Sequence, residues 1–212
     1  MKENKYQKQV SAKHYNFDRY FFPGRWMSYY YQTKEISQRS DIKTVLDIGP
    51  GTTFLHDVLK IHRPDITYKT LDLAKDVNPD YVGGVTDIPL NTDAFDLVSA
   101  FQVLEHIEYN DVEIALLEMK RVAKKYVFIS LPHFGPSVEL QIKIPFLKRL
   151  RMAYKIPYYK SHKFNGQHYW EIGKKNYSVK KIRCLLKKHF RIIDEYVPFE
   201  NQYHRFFIMA VD

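Results

Sequence analysis

Two glycines, Gly49 and Gly51, follow an acid in the run VLDIGPGTTFL from Val45 to Leu55. Glycine there lets the chain turn sharply and lets a ligand approach the backbone with no Cβ in the way, while amides at the start of the next helix offer donors. Such a turn suits a nucleotide. A dinucleotide fingerprint wants a third glycine where this chain has Phe54, so that helix and strand can close around a pyrophosphate. Phe54 argues against that ligand. Asp72 ends the next apolar run, YKTLDL. An acid about 20 residues beyond a glycine turn is placed to accept hydrogen bonds from two ribose hydroxyls, although a lone aspartate there equally caps a loop.

Other residues suggest proton transfer. Glu105 and His106 stand together in VLEHIE, and His133 directly follows an apolar run in SLPH. The segment SHKFNGQHYWEIG gathers His162, Lys163, Asn165, His168, Trp170 and Glu171. His133 and His168 are the candidate general bases, with a loop histidine of no chemistry the plain alternative for His133. The spacing of His162 and His168 matches no common zinc pattern, so no metal is expected. Cys184 is the single cysteine and falls in an amphipathic segment, where an inert thiol is ordinary.

These residues need a frame. Short β-branched or aromatic runs alternate with helical periodicity, the pattern of parallel strands joined by crossover helices. Strands are expected at Lys43–Ile48, Ile66–Leu71, near Tyr81–Val85, at Phe95–Phe101 and at Tyr126–Leu131, the run FDLVSAF being apolar enough to lie at the centre. Helices are expected over Thr53–Ile61, with Phe54, Val58 and Ile61 on one side, and over Asp111–Ala123, with Asn110 as N-cap and Glu113 completing a capping box. A third runs over Ser178–His189, with Val179, Ile182, Leu185 and Leu186 inward. Strands at Arg191–Val197 and Arg205–Val211 are separated only by PFENQYH, too short for a crossover, so the last strand must be reversed.

The 212 residues fit one α/β domain. Residues 1–40 would form an N-terminal helical cover and residues 134–175 a substrate-recognition insertion. The first dozen residues read as loose. The aromatic stretch Tyr15–Gln32 is expected to pack on the sheet, or to bring Trp26, Tyr30 or Tyr31 over a ligand, where a ring face attracts a cation. No run approaches the roughly 18 apolar residues of a membrane span, and a cytoplasmic location is expected. The net charge is +9, yet Pro132–Arg191 alone holds 15 Lys and Arg against 2 acids, so the basic surface is C-terminal. It would attract an anionic metabolite, a nucleic acid or an anionic membrane face, or be merely a solvated face.

Four stations together resemble the class I S-adenosylmethionine-dependent methyltransferases, close to the branch called methyltransferase type 11. They are VLDIGPG (Val45–Gly51), LDL (Leu71–Leu73), TDIPL (Thr86–Leu90) and FDLVSAFQVLEHI (Phe95–Ile107). Pro50, Thr52 and Thr53 stand where many members are richer in glycine. The resemblance implies a Rossmann-like three-layer sandwich of the α/β class, with a mostly parallel seven-stranded sheet in the order 3-2-1-4-5-7-6 and strand 7 antiparallel. It implies that Asp47, Gly49 and Gly51 hold the methionine end of S-adenosylmethionine and that Asp72 faces the ribose, with Leu73 beside it in the cofactor site. Asp87 and Ile88 would face the adenine, and Gln102 the sulfonium. It also implies that Glu105 and His106 pack beneath the cofactor. The product would be S-adenosylhomocysteine.

The reading is therefore a bacterial methyltransferase acting on a small-molecule or saccharide acceptor, with transfer to a hydroxyl favoured. Tyr30, His162, Lys163, Asn165 and Trp170 are the candidate acceptor-binding residues. Two alternatives stay open. One is an RNA methyltransferase using the basic, aromatic residues 132–191, and the other a non-catalytic partner protein that keeps the cofactor pocket.

Overall fold

The computed structural model describes Tyr6 and residues 20–211. The loose N-terminal dozen and the first part of the aromatic stretch lie outside the described residues, Tyr6 excepted. Among the described residues the first element is α1 (Pro23–Ser37), which has proline in its first turn, where the missing N–H costs nothing. Then come β1 (Thr44–Ile48), α2 (Phe54–His62), β2 (Thr67–Asp72), the two-residue β3 (Tyr81–Val82), β4 (Phe95–Phe101), α3 (Val112–Val122) and β5 (Ala123–Pro132). A hairpin follows, β6 (Ser137–Ile142) and β7 (Leu150–Lys155), before α4 (Val179–Lys187), β8 (Arg191–Tyr196) and β9 (His204–Ala210).

Seven strands form one sheet in the order β3-β2-β1-β4-β5-β9-β8. Parallel pairing runs from β3 to β5, and β9 is antiparallel to both β5 and β8. With the extra hairpin set aside, this is the order the resemblance implies. The sheet's two faces are both apolar because neighbouring residues of β1 and β4 alternate sides. Val45 and Leu97 pack with Leu55, Leu59 and Ile36, so α1 and α2 cover that face. Leu46 and Val98 pack with Leu116, Met119, Ile182 and Leu186, so α3 and α4 cover the other. Three layers result.

Some local expectations are corrected. On α2 the sheet-facing residues are Leu55 and Leu59, while Ile61 is largely exposed, so the helix is turned from the predicted face. The capping box at Asn110 and Glu113 is absent. A 3-10 turn over Tyr109–Asp111 leads into α3, Asp111 takes the N-cap position without a side-chain bond, and Glu113 instead pairs with His189 at 2.8 Å. A tertiary partner outcompetes the local cap. Ser178 does cap α4, accepting the amide of Lys181 at 3.2 Å.

The hairpin pairs Ser137 with Lys155 through Ile142 with Leu150 as a separate two-stranded sheet. Its root is closed by the amide of Ile156 donating to Pro136 O at 2.9 Å. Further out, Phe134 N donates to Ile172 O at 2.8 Å and Ile172 N to Pro132 O at 3.0 Å, so the chain returns to the point where it left the sheet.

Candidate functional site

The glycine turn leaves β1 with Gly49 at φ +63° and Gly51 at φ +66°, the left-handed region that favours glycine. A Cβ on Gly49 would lie 2.8 Å from Val103 Cγ2, so only glycine fits that position. Phe54 opens α2 wedged between the rings of Trp26 and Tyr29, with centroids 4.6 and 4.8 Å away. The place where a dinucleotide site needs a gap is filled.

Below the turn Asp47 is buried and accepts from the Tyr68 hydroxyl on β2 and from Ser99 Oγ on β4, the latter at 2.7 Å. Burial pushes its carboxyl up to about 6, against the pull of those two bonds, with the Asp72 charge adding to the rise. Tyr68 is in turn held well above its ordinary value, by burial and by the Asp47 charge.

Asp47, Gly49 and Gly51 line a cleft with Leu55, Phe101 and Gln102 beside them, and α1 supplies its roof through Arg25, Tyr29 and Gln32. The cleft encloses about 920 Å³, counting the solvent at its mouth. Gln102 is held at φ +60° while its amide Nε2 donates to Ser130 Oγ at 3.2 Å. Glu105, His106 and His168 line the same cleft, with Tyr203 and His204 from the β9 side.

Glu105 is wholly buried and neither carboxylate oxygen has a hydrogen-bond partner among the described residues. Burial pushes it up to about 7. His168 Nδ1 donates to Glu171 Oε1 at 2.9 Å, and that carboxylate also accepts from the Tyr203 hydroxyl at 2.9 Å. Burial works to lower the His168 imidazole, but the bond to Glu171 and the charges of Glu105 and Glu171 outweigh it and raise it. His106 Nδ1 lies 3.1 Å from Gln167 O. One ligand atom from each of Glu105, His106 and His168 falls within 4.8 Å of the others. His168 comes 62 positions after His106 in the chain, and the amide of Tyr169 clamps the two segments by donating to Glu105 O at 2.8 Å.

Of the remaining candidates, Asp72 sits at the carboxyl end of β2, and its Oδ1 accepts the amide of Ala74 at 2.7 Å. Ile88 is buried with its amide on Glu118 Oε2 at 3.0 Å, and Asp87 N donates to Gly84 O. Asp72, Leu73, Asp87 and Ile88 are not part of the cleft lining. Tyr30 is 56% exposed, meets Tyr31 edge-on and is not part of the cleft lining; the neighbouring Tyr29 is the residue turned inward. Trp170 is fully buried, its indole N–H shared between the carbonyls of Leu104 at 3.1 Å and Ile107 at 3.2 Å, which makes it an anchor of the core. Asn165 accepts the amides of Gln167 and His168 and so builds the turn that presents His168. His162 Nε2 donates to His168 O at 2.8 Å, and Lys163 is exposed.

His133 lies outside the cleft lining. It is buried beside β9, where its Nδ1 accepts from Arg205 Nε at 3.2 Å, and burial first, then the charges of Arg205 and Lys155, bring it down to about 3. It is a neutral imidazole packed at the root of the insertion.

Comparison with known proteins places these observations. Residues 46–130 match the family described as Methyltransferase domain. No curated protein matches the sequence. Among solved structures, an S-adenosylmethionine-dependent methyltransferase from Aquifex aeolicus is similar at 16% identity, with 96% of this chain and 100% of that one covered and a TM-score of 0.60. The N-methyltransferase NodS from Bradyrhizobium japonicum, solved with S-adenosylhomocysteine, is similar at 8% identity, with 93% of each chain covered and a TM-score of 0.60. A 1,6-didemethyltoxoflavin N1-methyltransferase from Burkholderia thailandensis is similar at 13% identity, with 88% of this chain and 80% of that one covered and a TM-score of 0.57. At such identities the solved structures speak for the fold, and the match over residues 46–130 speaks for the glycine-turn half that lines the cleft. The chain thus has the fold of the class I methyltransferases, and within it residues 46–130 match a methyltransferase domain.

Proposed function

We propose that the enzyme methylates a hydroxyl of a small polar acceptor, a saccharide or comparable metabolite, anionic acceptors being favoured by the basic insertion. The observation that carries this reading is the meeting of Glu105, His106 and the His168–Glu171 pair at the cleft. A neutral amine needs no help to attack a methyl group, whereas a hydroxyl must lose its proton, and a positioned base contributes about 10²- to 10⁴-fold. This cluster gives that proton somewhere to go.

The residues of the glycine turn fit S-adenosylmethionine. Gly49 and Gly51, both at positive φ, leave the turn without side chains on the cleft, and the turn leads into the start of α2. When bound, the cofactor supplies an activated methyl on a sulfonium, displaced in line. In this reading Gly49 and Gly51, backed by Asp47, hold the methionine end, Asp72, with Leu73 beside it, the ribose, and Asp87 and Ile88 the adenine. Gln102 lies beside the reacting centre. The α1 roof excludes water and fixes the acceptor's approach.

The test is incubation of the purified protein with labelled S-adenosylmethionine and fractionated metabolites. Label is expected in a polar small-molecule fraction, in a base-stable ether. Label confined to RNA or to an amine would overturn the reading. His168→Ala should lower turnover about 10²-fold or more, with S-adenosylhomocysteine affinity nearly unchanged by calorimetry.

RNA is the second reading, favoured by one observation. The hairpin projects Lys143, Lys148, Arg149 and Arg151 beside exposed Phe146 and Tyr154, a surface suited to phosphates and stacked bases. Binding to RNA that weakens steeply with salt would favour it, and indifference to RNA would remove it.

A further inference from the structure

We propose that Glu105, His106 and His168 form a binding site for one divalent transition-metal ion in the cleft. Three independent features of the cluster point there. The first is Glu105 itself. A carboxylate taken wholly out of water with no donor on either oxygen is a large unpaid desolvation, and buried charges ordinarily are paired or coordinate a metal. Arg25 lines the same cleft but makes no hydrogen bond to it.

The second feature is the way the imidazoles are held. Metal-binding histidines almost always donate their other ring N–H to a carboxylate or a backbone carbonyl, which fixes ring and tautomer. His168 gives Nδ1–H to Glu171, and Glu171 is itself held by Tyr203 and lies 4.0 Å from the Lys174 ammonium. His106 faces Gln167 O through Nδ1; a carbonyl only accepts, so Nδ1 carries a proton. Both rings are thus oriented from behind by the means a metal site uses.

The third is spacing and access. The ligand atoms lie within 4.8 Å of one another, and ligands about 2.0–2.2 Å from a shared ion stand at most ~4 Å apart, so closure needs side-chain rotations of under an ångström or so. All three residues line the cleft, leaving further coordination positions open toward it. Two imidazoles and one carboxylate suit Mn(II), Fe(II), Co(II) or Zn(II) better than Ca(II) or Mg(II), and three protein ligands with an open position are the pattern of reactive rather than structural sites.

Binding of the ion does not depend on the acceptor's identity. Its role does, and here the inference rests on the hydroxyl reading above: an ion at this place would take the acceptor oxygen as a ligand and lower the pKa of its proton. His168 would then be a ligand, with Glu171 as its positioning residue.

The deciding experiment is calorimetric titration of the full chain, stripped with chelator, by MnCl2 and separately by ZnCl2, alongside S-adenosylhomocysteine titrated in the absence of metal. One saturable metal site per chain is expected. Glu105→Gln and His168→Ala should each weaken it at least 10-fold, and Glu171→Gln about 10-fold. Manganese bound at the site should also lose its free-ion paramagnetic resonance signal in the wild-type chain and keep it in His168→Ala. His168 lies on the returning loop, so that variant serves even if Glu105→Gln does not fold. Wild-type protein that binds S-adenosylhomocysteine but no metal overturns the proposal, as does metal binding unchanged in both ligand variants. Metal binding without S-adenosylhomocysteine binding would instead break the methyltransferase reading and leave this site standing.

Discussion

The insertion between β5 and α4 and the parallel half of the sheet obey different rules, although both are rich in apolar residues. From β1 to β5 nearly every strand residue in the middle of the sheet is buried, and the apolar side chains are spent on two packed faces. In the hairpin, β6 is exposed along its whole length, Leu140, Met152 and Tyr154 stand in solvent, and Phe146 at the tip is fully exposed. Yet a few residues later the same insertion returns as Trp170 and Ile172, both wholly buried. Residues 134–175 are therefore two things, an excursion held to the body by Arg151, which pairs with Glu200 and lies over the Phe199 ring, and a returning plug that belongs to the core and carries His168 to the cleft. Composition alone does not separate them; chain closure does.

The sharpest way to break that division is at the plug. Trp170→Ala should destabilise the fold by about 3–5 kcal/mol, because it empties a filled core site and removes the indole donor shared by the carbonyls of Leu104 and Ile107. A loss below ~1 kcal/mol in denaturant titration would assign the plug to the loose part instead. Next in size is the turn that the plug faces. Gly49→Ala forces a Cβ onto Val103 at positive φ and should weaken S-adenosylhomocysteine binding by about 10²-fold, read by calorimetry, with a smaller cost in stability.

The boundary between the regions can be probed with acid. His133 is brought to about 3 in the fold, while the unfolded chain protonates it near 6.5. Between those values the unfolded state binds the extra proton, so the stability His133 contributes is complete above about pH 6.5 and is lost as pH falls toward 3. The slope is at most about 1.4 kcal/mol per pH unit. His133→Gln should flatten the acid limb of a stability-versus-pH curve, and an unchanged limb would show that the imidazole is not held neutral at the insertion's root. Smallest of all, Leu140→Ser or Met152→Thr should change stability by no more than about 0.5 kcal/mol, as for other exposed positions. A large loss at either would mean the hairpin is part of the core after all.

Much of the parallel half was legible because its periods are simple. FDLVSAF was readable as a central strand, and the short link before β9 required the reversed strand that β9 forms. Where tertiary contacts compete with local signals, the reading failed. Glu113 left its cap for His189, and α1 presents Tyr29 rather than Tyr30, since which face of an aromatic-rich helix turns inward depends on the sheet it meets. The hairpin strands carry a weaker signal: SVELQI alternates polar and apolar residues, but in LRMAYK the alternation is broken at Ala153. The meeting of Glu105, His106 and His168 had no local trace at all, because the spacing rules for ligands describe neighbours in sequence and not segments brought together by Trp170.

The bond from Ile156 to Pro136 closes the base of the hairpin within one hydrogen bond's reach. A stretch whose two ends already touch adds length without moving either attachment, so nineteen residues here can be traded for four, or for forty, at a modest entropic cost, about 0.6 kcal/mol for each doubling. Changes in the ribbon's length are thereby confined to its projecting part, while the walls of the cleft keep their place.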